Sequence, residues 1–165
     1  ALASYGDREK KLEILKDPHC GAFAVIRLCT YFLAYFCVAF CIRFSPRVGL
    51  CWTLALVLER GLSGLAVAAF PMAKNTGLAH TFATAADRES VKKILIVLSV
   101  LLAAALIALG GGALVAAALL VLWRYHHVAV KEFGGITGDL AGWFLQKAEF
   151  WMLAALAASQ WGGIL

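Results

Sequence analysis

Residues 94–123 read ILIVLSVLLAAALIALGGGALVAAALLVLW, and the three glycines near the middle, Gly110 to Gly112, decide the fold. As one helix this stretch would rise about 45 Å, well beyond the roughly 30 Å hydrocarbon core of a bilayer. Glycine is unfavourable inside a helix and favourable in a turn. The sequence therefore predicts two membrane helices, residues 94–109 and 113–130, joined by a tight hairpin.

The distribution of basic residues supports this hairpin. Without the turn, Arg124 and Lys131 would lie across the membrane from most of the other basic residues that flank apolar segments. With the turn they join that majority. Cytoplasmic loops of membrane proteins carry an excess of Lys and Arg. We therefore predict that Asp17, Lys74 and Asp139 all lie at the cytoplasmic face, where segments distant in sequence can form one polar site.

The composition is that of an integral membrane protein. Of the 165 residues, 62% are hydrophobic and 15% charged, with a mean hydropathy of +0.83, whereas soluble domains are about 45–50% apolar and about 25% charged. The net charge is +5, but the sequence shows neither a basic face nor a motif that recognises nucleic acid. No nucleic-acid partner is therefore expected. The five cysteines form no CxxC pair and are interpreted as packing residues.

We interpret residues 1–165 as a single all-α membrane domain embedded in the lipid bilayer. The polytopic helical bundle has about five membrane helices, at 21–42, 48–70, 94–109, 113–130 and 140–165. Residues 1–17 alternate charged and apolar side chains at helical spacing, which indicates a helix at the membrane interface. Because Ala1 is not a start methionine, we expect the chain to be part of a longer protein. A homo-oligomer is compatible with this composition.

The strongest functional signal is the stretch Gly134-Gly135-Ile136-Thr137-Gly138-Asp139 between two apolar segments. Glycines let the backbone approach a ligand closely, and amides and a hydroxyl beside a helix start suit a phosphate. A carboxylate there suits a divalent cation. The alternative is a loop in which the aspartate caps the last helix. In the functional interpretation the substrate-binding residues are Gly134, Gly135, Thr137 and Gly138, and the metal ligand is Asp139.

Several charged residues lie inside the apolar segments: Glu59, Arg60, Lys147 and Glu149. Charges within a bilayer are costly and usually face the bundle interior. Arg60 is interpreted as a functional residue or as half of a buried pair with Glu59. Glu149 follows Asp139 by nearly three helical turns, so both side chains are predicted to face one interior side of the last helix.

Five elements, in this order, resemble the cobalamin synthase family, the adenosylcobinamide-GDP ribazoletransferases. Residues 8–17, REKKLEILKD, are similar to the family's R-E-K-M-L-E-I-M-K-D stretch. Residues 17–23 resemble its D-S-x-x-G-x-F, which includes Gly21. Residues 59–61, ERG, resemble its S-R-G.

The other two elements lie further along the chain. Residues 73–78 resemble the family's A-R-x-x-G-L, with Lys74 in place of the usual arginine, which keeps the charge and loses the bidentate fork. Residues 134–142, with Glu149 beyond them, resemble G-G-x-T-G-D-x-x-G and its trailing E. The family's H-x-D-G-x-A-D motif precedes the matched part, which corresponds to the C-terminal two-thirds of such a protein.

The resemblance implies an enzyme of the bacterial inner membrane that joins the lower ligand to a corrinoid, with its active site facing the cytoplasm. A hydroxyl of α-ribazole, or of its phosphate, attacks the corrinoid phosphate of adenosylcobinamide-GDP, and GMP leaves. The implied cofactor is Mg²⁺, held by Asp139, by upstream carboxylates and by Asp17, which otherwise positions the attacking hydroxyl. Lys74 and Arg60 are implied to contact phosphate, Glu149 to orient a basic group, and Gly21 to bind substrate.

Two other functions stay open at this point. A different membrane phosphotransferase, which moves a nucleotide-activated phosphoalcohol onto a lipid, also uses carboxylates at a cytoplasmic membrane face. A transporter or structural membrane subunit would instead use the intramembrane charges along a transport path. The cluster at residues 134–139 favours an enzyme, because transport sites usually lie near the bilayer midplane.

Overall fold

A computed structural model describes residues 1–2, 4–17, 19–73 and 87–165. Its helices are α1 (Arg8–Ile14), α2 (Ala22–Phe40), α3 (Pro46–Ala69), α4 (Arg88–Ala108), α5 (Gly112–Val128) and α6 (Gly138–Trp161), with a π-helical turn (Ala129–Phe133) between the last two. Among the described residues, four stretches are long and apolar enough to cross a membrane, namely Ala22–Phe40, Pro46–Ala69, Arg88–Ala108 and Gly112–Phe133. The predicted all-α membrane bundle is confirmed.

The third apolar region breaks at the glycines. Gly110 has a φ of +87°, the left-handed conformation that favours glycine. The Gly111 amide donates to the carbonyl oxygen of Leu106 at 2.7 Å and closes the turn. The helix before the turn begins at Arg88 rather than at residue 94, because its charged first turns contain good helix formers that extend it beyond the apolar stretch.

Helices α2 and α6 run in the same direction. The Tyr35 hydroxyl of α2 donates to Glu149 of α6 at 2.8 Å. Just beyond the end of α2, the Arg43 amide donates to the Gln160 side chain near the end of α6 at 3.0 Å. Because the helices between them alternate in direction, α3 and α5 end where α2, α4 and α6 begin. We call this end of the bundle the site end.

Two further contacts tie the site end together. Met72, just after α3, pairs with Ile136, just before α6, in an isolated parallel bridge. The predicted interfacial helix is present as α1, shorter than residues 1–17, and its Lys11 forms an ion pair with Glu132 of the π-helical turn. The segment that follows α3, the turn that precedes α6 and α1 therefore meet at one place.

The core lies among α3, α5 and α6. Its largest buried side chains include Tyr125, Phe133 and Phe144. In the described chain α2 buries none of its residues, and it exposes aromatic side chains such as Phe36 and Phe40. An exposed apolar helix face of this kind is suited to lipid hydrocarbon. Although α6 is central, it is not one of the four apolar stretches, since charged and amide side chains interrupt it.

Candidate active site

The glycine-rich loop begins where the π-helical turn ends. Gly134 is left-handed, with a φ of +71°, and its amide donates to the Val130 carbonyl oxygen at 3.0 Å. The guanidinium of Arg8 occupies the space that a Cβ atom on Gly134 would need. A side chain at this position would therefore displace α1. The structure gives Gly134 a packing role, and its contact with a substrate stays a prediction.

Gly135 lies against the backbone that follows α3. A Cβ atom on Gly135 would approach the amide nitrogen of Ala73 to 2.5 Å and the Pro71 carbonyl oxygen to 2.6 Å. Beside it, the Ile136 amide donates to Pro71 at 2.8 Å and the Ala73 amide donates to Ile136 at 3.0 Å. The glycines were predicted to let a ligand approach the backbone closely. At Gly135, the group that makes this close approach is the backbone of residues 71–73.

The loop ends at the start of α6. The Thr137 hydroxyl accepts a hydrogen bond from the Leu140 amide at 3.3 Å and caps the helix. The capping residue is therefore Thr137, and the alternative in which Asp139 caps α6 is wrong. Gly138 has no heavy atom within 4 Å of an added Cβ position, so space is open beside it. Asp139 is exposed in the first turn, where the helix dipole favours anions.

Arg60, Asp139 and Glu149 line one cavity of about 630 Å³, which we call the site cavity. The remaining lining comes from α6 alone: Gly138, Gly142, Trp143, Leu145 and Gln146. The predicted placement of Asp139 and Glu149 on one side of α6 is therefore observed. Arg60 faces them from α3. The cavity combines a guanidinium, two carboxylates and the positive end of a helix, which suits an anionic ligand carrying a cation.

A buried partner holds Arg60. Its Nη1 atom donates to Glu59 Oε1 at 2.7 Å, and the Glu59 side chain is 0% exposed while that of Arg60 is 58% exposed. Among the described residues, Glu59 Oε2 has no hydrogen-bond partner. The pair predicted from the sequence is thus half buried, and its exposed half points a guanidinium into the site cavity.

Glu149 is held from the opposite direction. Its Oε1 atom accepts the hydrogen bond from Tyr35, and the neighbouring Tyr31 hydroxyl donates to the Gln146 carbonyl oxygen at 3.4 Å. Both tyrosines lie on α2, one turn apart. Tyr35 was not among the site residues predicted from the sequence. Two tyrosines at helical spacing inside an apolar segment were the signal that a polar partner lay opposite them.

Asp17 is not among the residues that line the site cavity. Its Oδ1 atom accepts hydrogen bonds from the backbone amide of His19 at 2.9 Å and from the His19 ring at 2.8 Å. Both bonds lower the pKa of the Asp17 carboxyl below its ordinary value, and the bond from the backbone amide has the larger effect. The side chain is exposed and ionised, and its role as metal ligand or positioning residue stays a prediction.

The two remaining predicted residues lie elsewhere. Gly21 precedes α2 and has open space around it. Lys74 lies outside the described residues. Its neighbour Ala73, the last described residue before it, donates its amide hydrogen to Ile136 of the loop.

The residues that line the site cavity determine whether the expected Mg²⁺ ion could bind there. Within the described ranges, no three His, Cys, Asp or Glu side chains are grouped so that they could hold a metal. The described residues therefore do not form a closed metal site by themselves. Mg²⁺ is often bound through one or two carboxylates together with waters and substrate phosphates. Asp139, which is exposed at the start of α6 and lines the site cavity, fits that kind of site.

These features define a helical membrane protein with a charged cavity at one end of the bundle, built beside a Gly-Gly-Ile-Thr-Gly-Asp loop. The profile of the cobalamin-5-phosphate synthase family matches residues 1–157. The chain belongs to the cobalamin-5-phosphate synthase family, and the resemblance predicted from the motifs is confirmed.

Relatives from three bacterial genera are similar over nearly the whole chain, and each is named adenosylcobinamide-GDP ribazoletransferase. The protein of Lachnoclostridium phytofermentans is 39% identical over 160 residues, which cover 95% of this chain and 60% of that protein. That of Pseudomonas syringae pv. tomato is 31% identical, covering 94% and 63%. That of a Geobacillus species is 31% identical, covering 92% and 60%.

The chain thus spans about three-fifths of the length of these relatives. No solved structure is significantly similar to it.

Proposed function

We propose that this chain forms part of an adenosylcobinamide-GDP ribazoletransferase and supplies a phosphate-binding part of its active site. The reaction transfers the corrinoid phosphate of adenosylcobinamide-GDP to a hydroxyl of α-ribazole, or of its phosphate, and releases GMP. The observation that carries the proposal is the site cavity, whose lining includes Arg60 of α3 and Asp139 of the motif that the family shares.

Arg60 is proposed to bind the diphosphate. A guanidinium presents a planar fork of donors that matches two phosphate oxygens. Its Glu59 partner is buried, so the arginine is held in one orientation while more than half of its side chain remains accessible. In phosphoryl transfer, positioning and electrostatic stabilisation supply most of the rate. The start of α6, where Gly138 and Asp139 line the same cavity, adds positive potential to it.

Asp139 is proposed to bind Mg²⁺ together with phosphate oxygens and further carboxylates of the protein. When bound, Mg²⁺ would screen the charge on the reacting phosphate. Glu149, fixed by Tyr35, faces the same cavity and is proposed to orient Arg60. Lys74 is proposed to contact phosphate, because the connection that carries it begins beside the loop.

The remaining assignments concern the second substrate and the membrane. Asp17 is proposed to position the attacking hydroxyl, since its ionised carboxylate can accept a hydrogen bond. Gly21, next to open space at the start of α2, is proposed to admit substrate. The excess of basic residues at the site end supports an inner-membrane protein with this end in the cytoplasm.

The test is release of GMP by the full-length protein reconstituted in liposomes with adenosylcobinamide-GDP, α-ribazole phosphate and Mg²⁺. We expect release to require both substrates. Asp139→Asn is expected to lower kcat/KM by about 10²–10³-fold, the scale for removing a group that stabilises transition-state charge.

Asp87→Asn is the matched control, because Asp87 precedes α4 at the same end of the bundle and lies outside the site cavity. Turnover of CDP-alcohols without release of GMP would contradict the proposed reaction. Full activity of Asp139→Asn in a protein that releases GMP would contradict the site assignment alone.

A further inference from the structure

A second cavity, of about 680 Å³, lies on the other side of α6. Basic side chains from four helices line it: Lys11 of α1, Arg27 of α2, Arg124 of α5 and Lys147 of α6. We call it the cationic cavity. Among the described residues, Glu132 is the one acidic residue that lines it, and Trp143 lines both this cavity and the site cavity.

The positive charge of the cationic cavity is largely uncompensated. Lys11 is paired with Glu132. In the part of the chain that the structure describes, Arg27, Arg124 and Lys147 form no ion pair with a carboxylate. Three cations on three helices around one concave space raise the local concentration of anions. The cavity therefore favours a ligand with at least one negative charge.

An apolar groove adjoins the cationic cavity. Arg124, Val121 and Trp151 line both spaces, and the groove, of about 370 Å³, is completed by Ala117 and Leu120. Ala117 precedes Arg124 by almost two helical turns, so the groove runs from the cations away from the site end. An anion site that continues into an apolar groove along membrane helices matches a headgroup followed by a hydrocarbon chain.

We propose that these two spaces form a binding site for an anionic phospholipid. The headgroup phosphate lies among Arg27, Arg124 and Lys147, and one acyl chain follows the groove past Ala117 and Leu120. Basic pockets between membrane helices bind anionic headgroups in this way. The groove favours a lipid over an inorganic phosphate, because an inorganic phosphate has no apolar group that would gain from those contacts.

The experiment measures lipid retained by the full-length protein, purified in neutral detergent and offered equal amounts of phosphatidylglycerol and phosphatidylcholine, by native mass spectrometry. We expect selective retention of phosphatidylglycerol. The triple variant Arg27→Gln, Arg124→Gln, Lys147→Gln is expected to bind it about a hundredfold more weakly, from roughly fivefold per basic residue near an anionic lipid. Arg124→Lys, which keeps the charge, is expected to retain the lipid.

A control triple variant, Lys16→Gln, Lys92→Gln, Lys93→Gln, removes the same charge at the same end of the bundle from residues outside the cationic cavity. It is expected to bind phosphatidylglycerol like the wild type. Equal loss of lipid in both triple variants would overturn the site, since attraction would then follow net charge alone. Thermal unfolding in detergent checks that each variant is folded.

Two further arms separate a lipid from a soluble anion. Ala117→Trp narrows the groove and is expected to weaken phosphatidylglycerol binding by at least about fourfold, the effect of excluding one CH₂ group. GMP and inorganic diphosphate are expected not to displace the lipid. Displacement by either anion, or full retention of lipid by Ala117→Trp, would overturn the proposal and assign the cavity to a soluble phosphate.

Discussion

The two sides of α6 carry cavities of similar size and different charge organisation. In the site cavity Arg60 is tied to buried Glu59, and Glu149 is tied to Tyr35. In the cationic cavity the basic side chains of Arg124 and Lys147 have no carboxylate partner among the described residues. One helix therefore separates a cavity whose arginine is paired with a carboxylate from one in which, among the described residues, most of the basic side chains are not.

This difference bears on what each cavity can do. Chemistry requires reacting groups within a fraction of an ångström of a productive position, and supporting contacts provide that order. Retention of a lipid headgroup requires charge and space, with little demand on orientation. We therefore expect substitutions of supporting residues to affect turnover at the site cavity and to leave lipid binding at the cationic cavity unchanged.

The largest expected difference is between two arginine substitutions, one in the site cavity and one in the cationic cavity. Arg60→Gln is expected to lower kcat/KM for GMP release by about 10²–10³-fold, because it removes a phosphate-binding fork. Arg124→Gln is expected to change it by no more than about twofold, as for substitutions away from a site. Steady-state kinetics in liposomes of phosphatidylcholine checks both. Equal losses in the two variants would show that the cavities form one functional unit.

Gly135→Ala tests how the first turn of α6 is held in place. A methyl group at Gly135 meets the backbone of Met72 and Ala73, and φ is +154°. We expect the free energy of unfolding to fall by about 3 kcal/mol, the upper end for a strained residue. Gly142→Ala, with open space in the same helix, is the control and is expected to be stable. Thermal unfolding in detergent measures both, and equal stability would contradict the tight approach at Gly135.

Much of the fold follows from local patterns in the sequence. The glycines at residues 110–112 break a stretch that is too long for one crossing, and the structure turns there. The pairing of Glu59 with Arg60 follows from the cost of charge in a membrane. The shared side of Asp139 and Glu149 follows from helical spacing. These features depend on neighbours in sequence, so a single chain contains enough information to predict them.

Contacts between distant segments could not be predicted in this way. Gly135 was interpreted as a place for a ligand, whereas in the structure the backbone after α3 lies against it. The Tyr35–Glu149 hydrogen bond joins helices more than a hundred residues apart. The π-helical turn was missed too, since its pattern continues that of α5. Each depends on how the helices dock, which residue spacing within one helix does not specify.

Glu59→Gln separates positioning from stability. The glutamine keeps the shape of the buried side chain but removes the charge that pairs with Arg60. We expect kcat/KM to fall about tenfold, the scale of a hydrogen bond to a charged group. The melting temperature should stay constant or rise, because burying a charge is costly. Glu89→Gln, which alters only an exposed pair with Lys93, is the control. Full activity of Glu59→Gln would show that Arg60 does not need its partner.

The smallest expected effect is that of Tyr35→Phe, which removes one hydroxyl from the site cavity's support. Loss of a single hydrogen bond to Glu149 is expected to lower kcat/KM about fivefold, from roughly 1 kcal/mol. Tyr31→Phe is the matched control, since its hydroxyl donates to a backbone carbonyl at 3.4 Å and should matter less. Both variants should retain phosphatidylglycerol like the wild type. If Tyr35→Phe lowered lipid retention as well as turnover, α6 would couple the two cavities. That result would contradict the expectation that the supporting contacts of the site cavity leave the cationic cavity unaffected.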